Sequence, residues 1–118
     1  MAVRTLPNDI FAEQSVIGSM FLSKYALQKA CETLQPESFY NERHSKIFAS
    51  LIALSEAKTP IDLTTVTSAL KKKNELTEVG GVEYLTEIIN FVPTASNIDY
   101  YIKTVEEDEF LKIGEIEE

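Results

Sequence analysis

Few side chains in this sequence are of the kinds that make or break bonds. It holds one histidine, His44, and one cysteine, Cys31. His44 falls between Arg43 and Lys46 in the first turn of a predicted helix, and Cys31 has no histidine near it in sequence and is expected in the core. A lone imidazole and a lone thiol do not supply the ligand set of a metal site. The densest acidic run is Glu106, Glu107, Asp108 and Glu109. Consecutive helical residues point around the axis rather than toward one another, so the run reads as a solvated face and not as a general acid/base pair. No catalytic constellation emerges, and a stand-alone enzyme is not expected.

Two further features invite a binding reading. In "KKKNELTEVGGVEYLTEIINFVP" a lysine triplet, Lys71, Lys72 and Lys73, precedes the paired Gly80 and Gly81. A phosphate-cradling loop would need a preceding strand and a Gly-Lys-Ser/Thr ending, and neither is present. The outline also fits a helix-turn-helix, but the second helix would carry Glu83 and Glu87 and no cation. That is the wrong sign for a DNA groove. The glycines fit a tight corner between two helices, where positive φ and close approach are needed. The lysines fit a helix C-terminus, where cations complement the helix dipole.

The elements that hold these residues are predicted to be all α-helical, a compact bundle of about six helices. Asp9 is placed to cap a first helix carrying Ile10, Phe11, Ile17, Met20 and Phe21, followed by Ala26, Leu27, Ala30, Cys31 and Leu34 up to the break at Pro36. Phe39 and Tyr40 are expected to plug the core. Asn41 caps a helix with a broad apolar face of Ile47, Phe48, Leu51, Ile52 and Leu54, ended near Pro60. Asp62 caps "LTTVTSALKKKN"; its β-branched run alternates too poorly with its neighbours for a strand. Val82, Leu85, Ile88 and Ile89 line the helix after the glycines, Pro93 stops it, and Thr94 can cap a long last helix. Residues 1–8 read as an extended tail, 9–93 as a globular head, and 94–118 as a C-terminal helix and acidic tail beginning an interaction hairpin.

In the last helix Ile98, Tyr101, Ile102 and Val105 follow the i, i+3, i+4, i+7 rule. The stripe fits either the core or a contact with a second copy or partner. Phe110 and Ile113 form a second stripe out of phase, and Gly114 is able to end the helix.

The chain has 118 residues, 44% hydrophobic and 25% charged, the proportions of one soluble globular domain. Its net charge is −8, and the asymmetry is informative: residues 1–60 balance six basic against six acidic groups, while 61–118 carry five and thirteen. An acidic surface gains nothing from phosphate counterion release, so a protein partner is expected rather than nucleic acid. The start "MAVRTLPNDIFAEQ" has no apolar signal core, and no apolar run nears the roughly 18 residues of a membrane span. A cytoplasmic protein without membrane contact is expected.

The stretches "LPNDIFAEQSVIGSMFL", "FYNERHSKIFASLIAL" and "PIDLTTVTSALKKKNELTEVGGVEYLTEIINFVPTASNIDYY" resemble, in order and spacing, the N-terminal domain of bacterial DnaB-type replicative helicases. The resemblance covers about residues 6–105. It is carried most specifically by Ala12-Glu13-Gln14, by Phe39-Tyr40 followed by His44, by Pro60-Ile61-Asp62-Leu63, and by Val79-Gly80-Gly81 with Tyr84-Leu85. It implies a helical domain joined through a linker helix to a RecA-like ATPase that drives 5′→3′ unwinding. Six copies would form a ring, with these domains as a collar of dimers that also receives the helicase-binding domain of primase and, in some systems, loader proteins. ATP and magnesium would belong to the ATPase domain, since this sequence has no Gly-x-x-x-x-Gly-Lys-Ser/Thr loop; no cofactor is expected here. Phe91, Tyr100, Tyr101, Ile102 and Val105 are the expected partner or dimer contacts. The ending "EEDEFLKIGEIEE" departs from the basic and apolar continuation of the family's hairpin. It keeps open a stand-alone collar homologue that modulates a helicase ring, besides a collar domain of a longer helicase; a small helix-turn-helix DNA-binding protein is the remaining alternative.

Overall fold

Short polar side chains set where each helix begins. The structure is a computed structural model that describes residues 9–92 and 94–117, with side chains described through Asp108. The expected tail 1–8, Pro93 and the Phe110/Ile113 stripe lie outside the described residues and side chains. Helix α1 spans Ile10–Leu22, and the extended Asp9 accepts the Ala12 N–H at 3.0 Å. Ser23 closes α1 by donating its N–H to Ser19 and opens α2, Lys24–Thr33, by accepting the Ala26 N–H at 3.2 Å. After the extended Leu34, Pro36 starts a single 3-10 turn, Pro36–Ser38. Asn41 caps α3, Glu42–Glu56, and Asp62 caps α4, Leu63–Lys72, through a reciprocal box with Thr65. Helix α5 is Gly81–Phe91 and α6 is Ile98–Glu117. Six α-helices and no strand occur among the described residues, as the pattern predicts.

The corner before α5 is built as expected. Gly80 has φ 106° and Gly81 φ 74°, values that favour glycine. A Cβ on Gly80 would also stand 2.7 Å from Tyr84 Cβ, so this glycine lets Tyr84 fold back over the corner. The last helix differs from expectation at both ends. It begins at Ile98, because Thr94 Oγ1 accepts the Ser96 N–H at 3.2 Å and makes a local turn instead of a helix cap. It also runs through Gly114 to Glu117. A glycine inside a helix costs only about 1 kcal/mol, too little to end one by itself.

Helix α1 is the central element: α2, α3, α5 and α6 all pack on it. Its Ala12, Val16, Ile17 and Met20 meet Ile47, Phe48 and Leu51 of α3, Leu85 and Ile88 of α5, and Ile98, Ile102 and Val105 of α6 in one cluster. Phe39 is driven into that cluster by the 3-10 turn, its ring 4.8 Å from that of Phe48. Its neighbour Tyr40, also expected to plug the core, is exposed. Ile10 and Phe11, placed on the apolar stripe by sequence, are likewise exposed.

The approach of α5 to α1 depends on Gly18. A Cβ there would stand 2.7 Å from the Ile88 carbonyl oxygen and 3.0 Å from Val92 Cγ2. Backbone cannot move aside as a side chain does, so Gly18→Ala is expected to force the helices apart. Urea unfolding should show the midpoint lowered by about 1–3 kcal/mol of stability, the usual cost of overpacking, with the slope unchanged.

Candidate functional site

The pieces that carry the family resemblance converge on one point. Glu13 leaves α1 and is 2% exposed; His44 leaves the first turn of α3 and is 0% exposed. Glu13 Oε1 lies 2.7 Å from His44 Nδ1, and His44 Nε2 lies 2.7 Å from the Tyr84 hydroxyl on α5. The same carboxylate accepts the Tyr40 N–H at 2.7 Å and the Asn41 N–H at 3.3 Å. Gln14 Nε2 donates to the Tyr84 hydroxyl at 3.0 Å. Because the carboxylate is an acceptor toward every partner, Nδ1 carries the proton in this bond. In the neutral ring Nε2 then accepts the Tyr84 O–H. The Tyr84 ring lies parallel to that of His44, centroids 5.9 Å apart, and Arg43 sits over Tyr84 at 5.2 Å.

In order of roles, carboxylate to imidazole to hydroxyl, the chain resembles a nucleophile-activating triad. Its surroundings point elsewhere. The imidazole is wholly enclosed, and the Tyr84 hydroxyl is already shared between His44 and Gln14. The surface hollow outside it is lined by Tyr40, Asn41, Glu42, Arg43, Lys46 and Glu78, where Lys46 pairs with Glu78 and Arg43 with the Tyr84 ring. The network ties α1, the entrance to α3, and α5 together. Sequence reading kept its members apart, as a histidine without metal partners and as separate resemblance fragments. The available signal was that the only histidine lies inside one such fragment. Among the described residues no group of three or more His, Cys, Asp or Glu could hold a metal, and no helix is long and apolar enough to cross a membrane.

A second polar contact lies where α6 passes the start of α1. Burial, then the nearby Asp9 charge, pushes the Asp108 carboxyl above its ordinary value, and the Asp9 backbone N–H it accepts offsets this in part. One of its oxygens, Oδ2, is buried without a partner. Elsewhere, burial pushes the half-buried Cys31 thiol up, although the Ser55 hydroxyl bonds it.

The five expected contact residues separate. Ile102 is 3% and Val105 0% exposed, so both belong to this chain's own core, not to its surface. The physical reason is that the i, i+3, i+4, i+7 stripe of α6 faces α1 and α2. Tyr101 is half-buried at the edge of that core. Tyr100 is 69% exposed, with its ring edge-on to Tyr101 at 6.2 Å, and Phe91 is 43% exposed and stacked on Phe11. Lys71, Lys72 and Lys73 lie exposed at the end of α4, and Glu83 and Glu87 lie exposed on α5.

The fold and site thus define a small all-α domain, locked by a buried polar chain and showing aromatic residues at its surface. The chain belongs to the DnaB-like helicase N terminal domain family, whose model matches residues 5–107. It is 49% identical over 109 residues to the replicative DNA helicase DnaC of Bacillus subtilis (strain 168), covering 92% of this chain and 24% of that protein. It is 45% identical over 109 residues to the replicative DNA helicase DnaB of Geobacillus stearothermophilus, with the same 92% and 24% coverage. The chain therefore spans about a quarter of the length of these relatives. The crystal structure of the N-terminal domain of DnaB helicase from Mycobacterium tuberculosis superposes with a TM-score of 0.88 at 38% identity, covering 92% of this chain and 78% of that one.

Two outcomes follow from this geometry. Tyr84→Phe strips the fully buried His44 Nε2 of its partner, and urea unfolding should show a loss of about 1–3 kcal/mol. For Asp108 the sign is set by a native carboxyl that holds its proton more tightly than the unfolded one. Its contribution is present below the ordinary carboxylate value and is lost as pH rises through the raised native value. Asp108→Asn should therefore raise the melting temperature near pH 7 and leave it unchanged near pH 3. Equal shifts at both pH values would contradict this.

Proposed function

We propose that this domain is the assembly and docking module of a cytoplasmic replicative DNA helicase. It joins copies of itself into a dimer-based collar within a hexameric ring. It also receives the helicase-binding domain of primase and, where one exists, a helicase loader. ATP hydrolysis with magnesium, and 5′→3′ unwinding, are the work of an ATPase domain of the parent protein. The observation that carries the reading is the alignment of nearly this whole chain with about a quarter of each replicative helicase it resembles. The enclosed His44 supports it, since the most triad-like group of the domain is turned to structure rather than reaction.

A DNA-reading function is disfavoured by the exposed carboxylates of α5, Glu83 and Glu87, on the helix that would enter a groove. The acidic half suits a basic protein partner, through the encounter rate more than the final affinity. Among the five contact residues first expected, Tyr100 is the one we assign to an intermolecular contact, being the most exposed large hydrophobic side chain among the described residues. An exposed tyrosine buries much area on association at small entropic cost.

Sedimentation equilibrium across a concentration series, alone and with the primase helicase-binding domain, tests this. A dimer or a primase-dependent shift is expected, weakened roughly tenfold or more by Tyr100→Ala, with helix content unchanged by circular dichroism. A monomer that ignores primase at every concentration would overturn the assignment. Ile102→Asp is unsuited as an interface probe, because it places a carboxylate in the core and is expected to reduce helix content itself.

A further inference from the structure

Cations gather at one end of this otherwise acidic domain. Arg43 and Lys46 line the hollow beside the entrance of α3, about 570 Å³ in volume. Lys71, Lys72 and Lys73 stand exposed at the end of α4. Glu75 connects the two groups: its Oε1 lies 3.9 Å from Lys73 Nζ, and its charge acts on Lys46 alongside Glu78 and Glu42. Lys46 pairs with Glu78, and Arg43 lies over the Tyr84 ring. Lys71 and Lys72 have no ion pair among the described residues. The helix dipole accounts for a cation at that place, but not for an open hollow beside it.

A carboxylate with open aromatic rings stands at the other end of α1. Tyr25 is 57% exposed, and its hydroxyl lies 3.3 Å from both carboxylate oxygens of Asp99. Tyr100 follows Asp99 in α6 and is the more exposed of the two tyrosines. The position of this corner relative to the hollow is set by α1. Glu13 accepts the N–H groups of Tyr40 and Asn41 at the hollow, and Ser23, ten residues later, lines a recess with Tyr25 and Ala95. Ten helical residues cover about 15 Å, so one copy does not bring its own corner to its own hollow.

The lysine end cannot pair with itself, because two copies would set like charges together. Its complement is a carboxylate accompanied by a side chain able to fill the hollow. Asp99 and Tyr100 supply both at consecutive positions. Consecutive helical residues diverge by about 100°, so the ring and the carboxylate reach neighbouring places and not the same one.

We propose that Tyr100 of one copy enters the hollow beside Arg43 of a second copy, while its Asp99 meets that copy's Lys71 and Lys72. The contact is head-to-tail. Each copy keeps one of the two surfaces free, so the contact repeats and closes into a ring where the rotation allows, as a collar requires of the joints between its dimers. It rests on the assembly role given to the domain above and names the surfaces that carry it. The exposed cations act mainly on encounter and register, and the seated ring supplies the affinity.

Sedimentation equilibrium of the purified chain and of complementary variants tests the contact. The Lys71→Glu, Lys72→Glu double variant is expected to self-associate roughly tenfold or more weakly, as Tyr100→Ala does. An equal mixture of these two variants should restore a one-to-one dimer, since one brings an intact corner and the other an intact hollow, and added salt should weaken it. Circular dichroism checks the fold. Lys71→Gln with Lys72→Gln, which adds no acid to the α4 end, replaces the glutamate pair where helix content falls. A mixture that stays monomeric overturns the head-to-tail contact. If Tyr100→Ala weakens association and the lysine variant does not, the assembly reading stands and the head-to-tail contact is overturned. An unaltered chain that is monomeric at every concentration overturns both. If the lysine variant loses only its binding to a DNA oligonucleotide, the cations serve phosphate, and the contact is again overturned.

Discussion

A carboxylate and an imidazole sealed from water must find partners for their polar atoms, and this requirement fixes the relation of three helices. Glu13 on α1 has two backbone N–H donors at the entrance to α3 besides His44, so moving α3 along α1 would strand several polar groups at once. His44 in turn holds the Tyr84 hydroxyl, which sets the rotation of α5. The close approach of Tyr84 requires Gly80 without a Cβ, and the close approach of α5 requires Gly18 without one. Buried polar chains of this kind add little net stability, because desolvation opposes most of the attraction, whereas each buried Ile or Leu contributes about 1.5–3 kcal/mol. Stability therefore comes from the α1-centred apolar cluster, and the polar chain selects one packing among those the apolar surfaces would tolerate.

That division explains what could be read in the sequence. The caps Asp9, Asn41 and Asp62, the break at Pro36 and the glycine corner act through local backbone chemistry, and each occurs in the structure where its residue type places it. The polar chain spans 31 residues from Glu13 to His44 and 40 from His44 to Tyr84. No local rule joins positions so far apart, although the family resemblance rests on all three. The α6 stripe was ambiguous for a different reason. Ile98, Ile102 and Val105 have the spacing of any apolar helix face, and spacing does not say whether the neighbour belongs to the same chain. Only packing on α1 and α2 places Ile102 and Val105 inside. Phe11 shows the converse failure: its apolar side chain suggested core, yet α5 offers it one stacked, half-exposed ring instead of an enclosing pocket.

With the stripe consumed by the core, what α6 offers other molecules is its outer side and its length. The side carries Tyr100, exposed beside an edge-on Tyr101 whose ring limits its freedom, so less rotamer entropy remains to be lost on association. The helix is 20 residues long, and Val105 is the last of its residues, among those whose side chains are described, to lie in the apolar cluster. Beyond that point its backbone continues helical for about three further turns, at 3.6 residues each. Beside the α1 cap, Asp108 carries a carboxyl whose burial and acidic neighbours work against its charge. The anchoring is thus firm through Val105 and electrostatically opposed one turn later.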